Sequence, residues 1–202
     1  MTSSQAAPSI SVVDINNLTL ETERLNLRRF NEGDLDNLYK LLSQEEVVRY
    51  LYGEVQTREE TQERLTKRLE MNSLKDDGDT LILAVEEKQT GAFIGDLVLI
   101  LTSAEFSQGE IGFVFNPEHH GKGYGYEASM EILRYGFEVL GMHRIKGRCD
   151  GRNKASAGLM KKLGLELEAH FIENEWVKGC WTDEMVFAMR RSQWDTQAQP
   201  IT

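Results

Sequence analysis

The sequence predicts an α+β fold, a mixed and mostly antiparallel twisted sheet flanked by helices on both faces. Three observations lead there. TLILAVEE and AFIGDLVLI are β-rich runs separated by the short turn KQTG, which is the form of an antiparallel hairpin. Leu165–Trp176 and Cys180–Met189 flank Val177-Lys178-Gly179 in the same way. Between these hairpins, residues 110–150 read strand, helix, strand, and such a crossover makes its two strands parallel.

The elements follow in order. Leu18–Leu20 and Leu25–Leu27 alternate apolar and polar residues, as a half-buried first strand does. Asn31 followed by Asp34 is a helix-start pair ahead of Leu35, Leu38, Leu41 and Leu42. Thr57 with Glu60 repeats the capping-box spacing and opens a second helix that runs to about Lys75. A turn-rich DDGD then leads into the first hairpin. EIGFVF is a buried strand that Pro117 should end, because proline cannot donate to a ladder. Met130, Leu133, Phe137 and Leu140 fall at helical spacing and, with Tyr124, read as core; the helix should stop at Gly141. His143–Asp150 is a strand, and Ala155–Leu163 a short helix closed by Gly164. The predicted order is β, α, α, β, β, β, α, β, α, β, β.

Residues 1–17 and 191–202 are polar and aperiodic, so they read as a flexible N-terminal tail and a C-terminal tail around one domain, 18–190. The chain has 202 residues and 40% hydrophobic composition, enough for a core without disulfides. A formal net charge of −10 argues against sequence-independent nucleic-acid binding, which needs a basic surface, and favours cationic partners. No apolar run approaches the roughly 18 residues of a membrane span, and no basic-then-apolar leader opens the chain. The expectation is a soluble, cytoplasmic protein without membrane association. Cys149 and Cys180 share no metal-ligand spacing and read as free thiols. His143 and His170 read as packing or surface residues, and no metal site is expected.

The most informative stretch is His120-Gly121-Lys122-Gly123-Tyr124-Gly125, between a strand and a helix. Glycines let a backbone approach a ligand closely, and the first-turn N–H groups of a helix lack internal acceptors. Together they make an anion site suited to phosphate or pyrophosphate. Two nucleotide readings fail on spacing: G-x-G-x-G lacks the last glycine of the dinucleotide fingerprint, and the order G-x-x-x-x-G-K-[ST] is absent.

The wider constellation is more specific. Residues 110–165 resemble the GNAT acyl-CoA N-acetyltransferases, particularly the branch of RimJ/RimL-type protein N-terminal acetyltransferases. The pattern there is a strand, a proline, a loop [QR]-x-x-G-x-[GA], a helix, a second strand and an N-x-x-S…K-x-G helix. Pro117, His120 to Gly125, Asn153, Ser156, Lys162 and Gly164 stand at those positions. The opening TLETERLNLRRF and the closing W-x-x-G-x-W-x-D, with Trp176, Gly179, Trp181 and Asp183, also resemble that branch. One departure is His120, where Gln or Arg is usual.

The resemblance implies a GNAT fold whose sheet splays between its fourth and fifth strands, 110–116 and 143–150. It implies acetyl-CoA as cosubstrate, with pyrophosphate on the amides of Gly121, Lys122, Gly123, Tyr124, Gly125 and Tyr126. Pantetheine would run along Phe113, Val114 and Phe115 and hydrogen-bond to Asn153. An N–H near Phe113 would polarise the thioester carbonyl, and Lys162 would approach the phosphates. The implied reaction is direct attack of a primary amine in a ternary complex, which needs a neutral amine, a stabilised oxyanion and a proton for the leaving thiolate. Glu175 is the candidate to receive the amine, Glu110 a candidate base and Ser156 the candidate acid. Relatives with a tyrosine acid have it where Met160 stands here. The acceptor is expected to be cationic, a protein or peptide N-terminus, with a small-molecule amine (polyamine, amino-sugar or antibiotic) or a non-catalytic acyl-CoA-binding sensor as alternatives. The oligomeric state is not legible.

Charge is divided along the chain. Residues 118–164 carry nine Lys/Arg against five Asp/Glu, a net of +4, whereas 165–184 carry six Asp/Glu against Lys178, a net of −5. The cofactor segment is basic, and the last hairpin is an acidic candidate border for the acceptor.

Overall fold

The structure, a computed structural model, describes residues 15–197. Its centre is an eight-stranded sheet in the order β1-β2-β3-β4-β5-β6-β8-β7. Those strands are β1 (Thr19–Glu21), β2 (Leu25–Arg29), β3 (Thr80–Glu87), β4 (Phe93–Ser103), β5 (Gln108–Phe115), β6 (Arg144–Asp150), β7 (Glu166–Val177) and β8 (Cys180–Arg190). Every neighbouring pair is antiparallel except β5 with β6. The mixed, mostly antiparallel sheet expected from the sequence is therefore present.

Alternation along the strands divides the core between the two faces. In β3, Leu81, Leu83 and Val85 enter one cluster, with Ile132, Leu133 and Phe137 of the α4 segment and with Met160 of α5. Ile82 and Ala84 enter the other, with Leu38, Leu41 and Leu42 of α1 and Leu65 of α3. The helices are α1 (Leu35–Leu42), α2 (Glu45–Val48), α3 (Arg58–Glu70), α4 (Tyr124–Arg134), α5 (Lys154–Lys162) and α6 (Arg191–Gln197), and α4 continues as a wider π turn, Tyr135–Val139. On the α3 face, Arg68 makes a buried ion pair with Asp96 of β4 at 2.7 Å and lies over the Phe30 ring. Breaking such a pair leaves a buried charge, so it fixes where α3 sits.

Local signals locate most boundaries. Asn31 and Thr57 both form complete capping boxes. Gly141 and Gly164 end their helices with positive φ. The last hairpin turns through Lys178 (φ 51°) and Gly179 (φ 77°), the positive pair that suits a two-residue turn.

Four expectations are corrected. The first strand is two, β1 and β2, because the Thr22 hydroxyl accepts from Leu25 N–H at 3.0 Å and closes a turn. The second helix ends at Glu70 and not near Lys75, because the Arg29 guanidinium takes the carbonyls of Arg68 and Met71. The N-terminal tail is shorter than 1–17: Ile15 is fully buried in the core, while residues 1–14 lie outside the described residues. The C-terminal tail is also shorter than 191–202, since residues 191–197 are α6. Trp194, 5% exposed, stacks on Phe137 at 5.4 Å, and its indole N–H donates to Glu138 at 3.0 Å. Replacing it by alanine should cost about 3 kcal/mol in urea unfolding; a loss under about 0.5 kcal/mol would show α6 to be an appendage.

Candidate functional site

The parallel pair β5–β6 is short. Gln108 to Ile111 pair with Arg144 to Gly147, and there the two strands part. Beyond that point β5 follows β4 as far as Phe115, and β6 follows β8 as far as Asp150. Residues 112–115 are thus without a strand partner on their β6 side, where backbone donors and acceptors need one. The splay expected between the fourth and fifth predicted strands is this gap.

A cavity of about 610 Å³ occupies it. One wall is Phe113, Val114 and Phe115, with the two rings stacked at 5.7 Å. The loop and the start of α4 supply His120, Gly121, Gly123, Tyr124, Gly125 and Tyr126. The start of α5 supplies Asn153 and Ser156, and its last turn Lys162, whose ammonium lies 4.8 Å over the Tyr126 ring. Lys122 is not on the wall: its carbonyl accepts from Arg24 at 3.0 Å. Missed by sequence reading was the opposite wall, Glu46, Val47, Arg49, Tyr50 and Leu51, which surrounds the short α2 and carries no motif.

The anion site has a physical basis. Gly123 precedes α4 with φ 83°, and the first intrahelical bond runs from Glu127 N–H to the Gly123 carbonyl at 3.1 Å. The amides of Tyr124, Gly125 and Tyr126 therefore lack intrahelical acceptors, and with the positive end of the helix they could take an anion. A β-carbon on Gly125 would stand 3.0 Å from the Phe115 ring, so any larger residue would have to push that ring aside for the loop to approach β5 this closely. His120 turns its Nε2 to within 3.1 Å of the Phe115 carbonyl. His119, also on the wall, is held below its ordinary pKa first by burial and then by Lys122.

The loop is anchored from behind by Glu127, a residue with no sequence signal. Its carboxylate accepts from the Thr22 hydroxyl at 2.6 Å, Arg24 N–H at 2.8 Å and Arg24 Nε at 2.7 Å. The Arg24 guanidinium in turn covers the Tyr124 ring at 4.6 Å. Burial would push the Glu127 carboxyl up, but these donors together outweigh burial and hold it below its ordinary value.

The three catalytic candidates are not equally placed. Ser156 is on the cavity wall, where its N–H donates to the capping Asn153 side chain at 3.0 Å. Burial raises the Cys149 thiol, with Ser156 acting against it, and both cysteines are free. Glu110 and Glu175 are off the wall and meet through Arg148, which sequence reading also missed. Arg148 Nε donates to Glu110 Oε1 at 3.0 Å, and its Nη1 donates to Glu184 Oε1 at 2.7 Å and lies 3.7 Å from Glu175 Oε1. Lys146 takes the other Glu110 oxygen at 3.3 Å. Tyr52 donates its hydroxyl to Glu175 Oε1 at 2.7 Å, and burial followed by this bond pushes the phenol up to about 12. Lys178 at the hairpin tip donates to the Val48 carbonyl at 2.6 Å. The α2 wall and the acidic hairpin are thus tied together at two points.

Known proteins match this arrangement over most of the chain. The profile described as "Acetyltransferase (GNAT) domain" covers residues 24–166. The chain belongs to the GNAT acetyltransferase family. It is 32% identical over 176 residues to the uncharacterized N-acetyltransferase YnaD of Bacillus subtilis, covering 87% of this chain and 99% of that protein. A GNAT-family acetyltransferase crystal structure from Bacillus anthracis superposes with a TM-score of 0.78 at 28% identity, over 87% of this chain and 99% of that one. A Vibrio cholerae protein named spermidine N(1)-acetyltransferase is 26% identical over 161 residues, 79% of this chain and 89% of its own length. As a member of this family the protein is an acetyl-CoA-dependent N-acetyltransferase, and its cavity offers what acetyl-CoA needs: unpaired first-turn amides for a polyanion and an unpaired strand edge for an amide-bearing arm.

The Glu127 anchor has a testable consequence. Glu127→Gln should raise the KM for acetyl-CoA about tenfold with kcat little changed, since a hydrogen bond to a charged group is worth about 1.5 kcal/mol or more. Because the folded carboxyl lies below its unfolded value, the anchor's stabilisation is present above about pH 4.5 and lost as pH falls through the folded value. The stability gap between wild type and Glu127→Gln should therefore close on acidification; a gap constant down to about pH 2 would show that the charge is not what holds the loop.

Proposed function

We propose that the protein acetylates the N-terminal amine of proteins or peptides, with basic sequences preferred. That is the acceptor class of the RimJ/RimL-like branch its motifs resemble. The observation that carries it is the border of the cavity opposite the glycine loop: the wall around α2 is tied by Tyr52 and Lys178 to a hairpin that is both acidic and apolar. Phe171, Ile172, Trp176 and Trp181 are exposed on that hairpin, more apolar surface than a small amine covers. The net of −5 over residues 165–184 draws cations to the same side.

In this reading the cosubstrate supplies an acetyl group activated as a thioester. The amides of Gly121 to Tyr126 and the Lys162 ammonium hold its phosphates, and Asn153 with the free edge at Phe113 to Phe115 holds its pantetheine arm. An N–H at Phe113 polarises the carbonyl. Glu175 receives the amine, and Ser156 supplies a proton to the departing sulfur. Glu110, with both oxygens engaged by Arg148 and Lys146, is assigned to orienting Arg148 rather than to proton abstraction. The new C–N bond forms as the C–S bond breaks; of the two protons the ammonium loses, one restores the Ser156 hydroxyl and the other leaves to solvent.

A second reading, a polyamine acceptor, is favoured by the relative named as a spermidine acetyltransferase and by the same acidic border. Release of free CoA thiol, measured with basic, neutral and acidic N-terminal peptides, spermidine and an amino-sugar, separates the two. The expected order places basic peptides first, with kcat/KM falling severalfold as ionic strength rises from about 0.05 to 0.5 M. Spermidine outpacing every peptide would transfer the assignment to polyamines. Tight CoA binding with no thiol release on any acceptor would leave a binding module only.

A further inference from the structure

None of the four residues of the closing W-x-x-G-x-W-x-D pattern lines the cavity, and one of them, Asp183, has a structural role of its own. It lies in β8 opposite an irregular stretch of β7. Phe171 pairs with Glu184 and Glu175 with Thr182, so four steps along β7 match two along β8. The surplus is a bulge, and bulges re-aim the side chains beyond them. Glu173 sits in it at φ 48°, a left-handed conformation uncommon for a glutamate.

Asp183 holds that conformation in place. Glu173 N–H donates to Asp183 Oδ1 at 3.0 Å, and His170 Nε2, on the near side of the bulge, lies 2.8 Å from Asp183 Oδ2. The Asp183 carbonyl accepts from Gly151 N–H at 2.9 Å, tying the same point to the turn before Asn153. On the far side of the bulge is the acceptor border. Asn174 Nδ2 donates to Glu184 Oε2 at 2.8 Å, and Glu175 accepts from Tyr52 and faces Arg148. Were the same residues paired without the bulge, the register from Phe171 and Glu184 would put Glu173 opposite Thr182 and carry Glu175 toward the hairpin tip.

We propose that Asp183 is a positioning residue for the acceptor site, holding through Glu173 and His170 the β7 bulge that sets Glu175 against Tyr52 and Arg148. It touches no substrate itself, and its bearing on turnover rests on the assignment of Glu175 to the amine.

Tyr52 reports the position of Glu175 independently of turnover, because the hydrogen bond to Glu175 adds to burial in raising its phenol. Glu175, Glu184 and Arg148 are the charged groups that act on it. The titration of Tyr52 is followed by NMR of tyrosine labelled at Cζ, assigned by Tyr52→Phe. Asp183→Ala should bring it back from about 12 toward the ordinary 10, and raise the acceptor KM of the best peptide in the panel about tenfold with the acetyl-CoA KM unchanged. Asp183→Asn keeps an oxygen for Glu173 N–H and should stay near wild type in both. Glu173→Pro removes that N–H and forbids the positive φ, so it should reproduce the alanine variant and decides the matter if Asp183→Ala does not fold. An unmoved Tyr52 titration in the folded variants overturns the proposal. A moved titration with an unmoved acceptor KM supports the positioning of Glu175 and overturns its assignment to the amine.

Discussion

The structure depends on β5 and β6 sharing only four residue pairs. Each strand is fully committed on its other side, β5 to β4 as far as Phe115 and β6 to β8 as far as Asp150. The gap can therefore stay open without loosening either half of the sheet. Closing it would satisfy a few backbone groups and leave the α4 amides pointing at nothing. The same separation supplies an unpaired strand edge, an apolar wall and the entry to α5, all of which the cavity uses.

A gap is useful only if the glycine loop stays in register with it. Glycines that permit close approach also permit motion. The loop is held by contacts from outside itself: Gly125 packs against Phe115, and Glu127 is clamped by Thr22 and Arg24 of the first hairpin. β1 and β2 lie at the far end of the sheet from β7 and take no part in the cavity wall, yet the turn between them fixes the helix end that faces the cavity.

What was legible in the sequence had local causes. The capping boxes at Asn31 and Thr57, the stops at Gly141 and Gly164, the Lys178-Gly179 turn and the glycine loop each follow from residues a few positions apart, and each stands where expected. What was missed depends on partners far along the chain. α6 has one buried apolar residue, Trp194, whose partner is Phe137; no periodicity marks it. Glu127 reads as an ordinary helix charge until Arg24 is beside it. Arg148 is one of three cations on β6, with nothing to single it out until Glu110, Glu175 and Glu184 converge on it from three other strands. The β7 bulge had no signal of its own, because the residue at positive φ is a glutamate and the run reads as one continuous strand.

The charge division gains meaning from this geometry. Two carboxylates of the acidic hairpin are not bare: Glu175 and Glu184 converge on the Arg148 guanidinium with Glu110, and Lys146 stands behind. Three carboxylates against two cations leave the cluster one charge short of neutral. In the proposed reading, one ammonium brought in where Tyr52 donates completes it. Such a cluster would favour a cation while keeping each carboxylate oriented, whereas three unpaired carboxylates would repel one another and splay. Long-range attraction then comes from the net charge of the hairpin, and orientation at short range comes from Arg148. In the same proposed reading the basic glycine loop, on another part of the cavity wall, takes the polyanion.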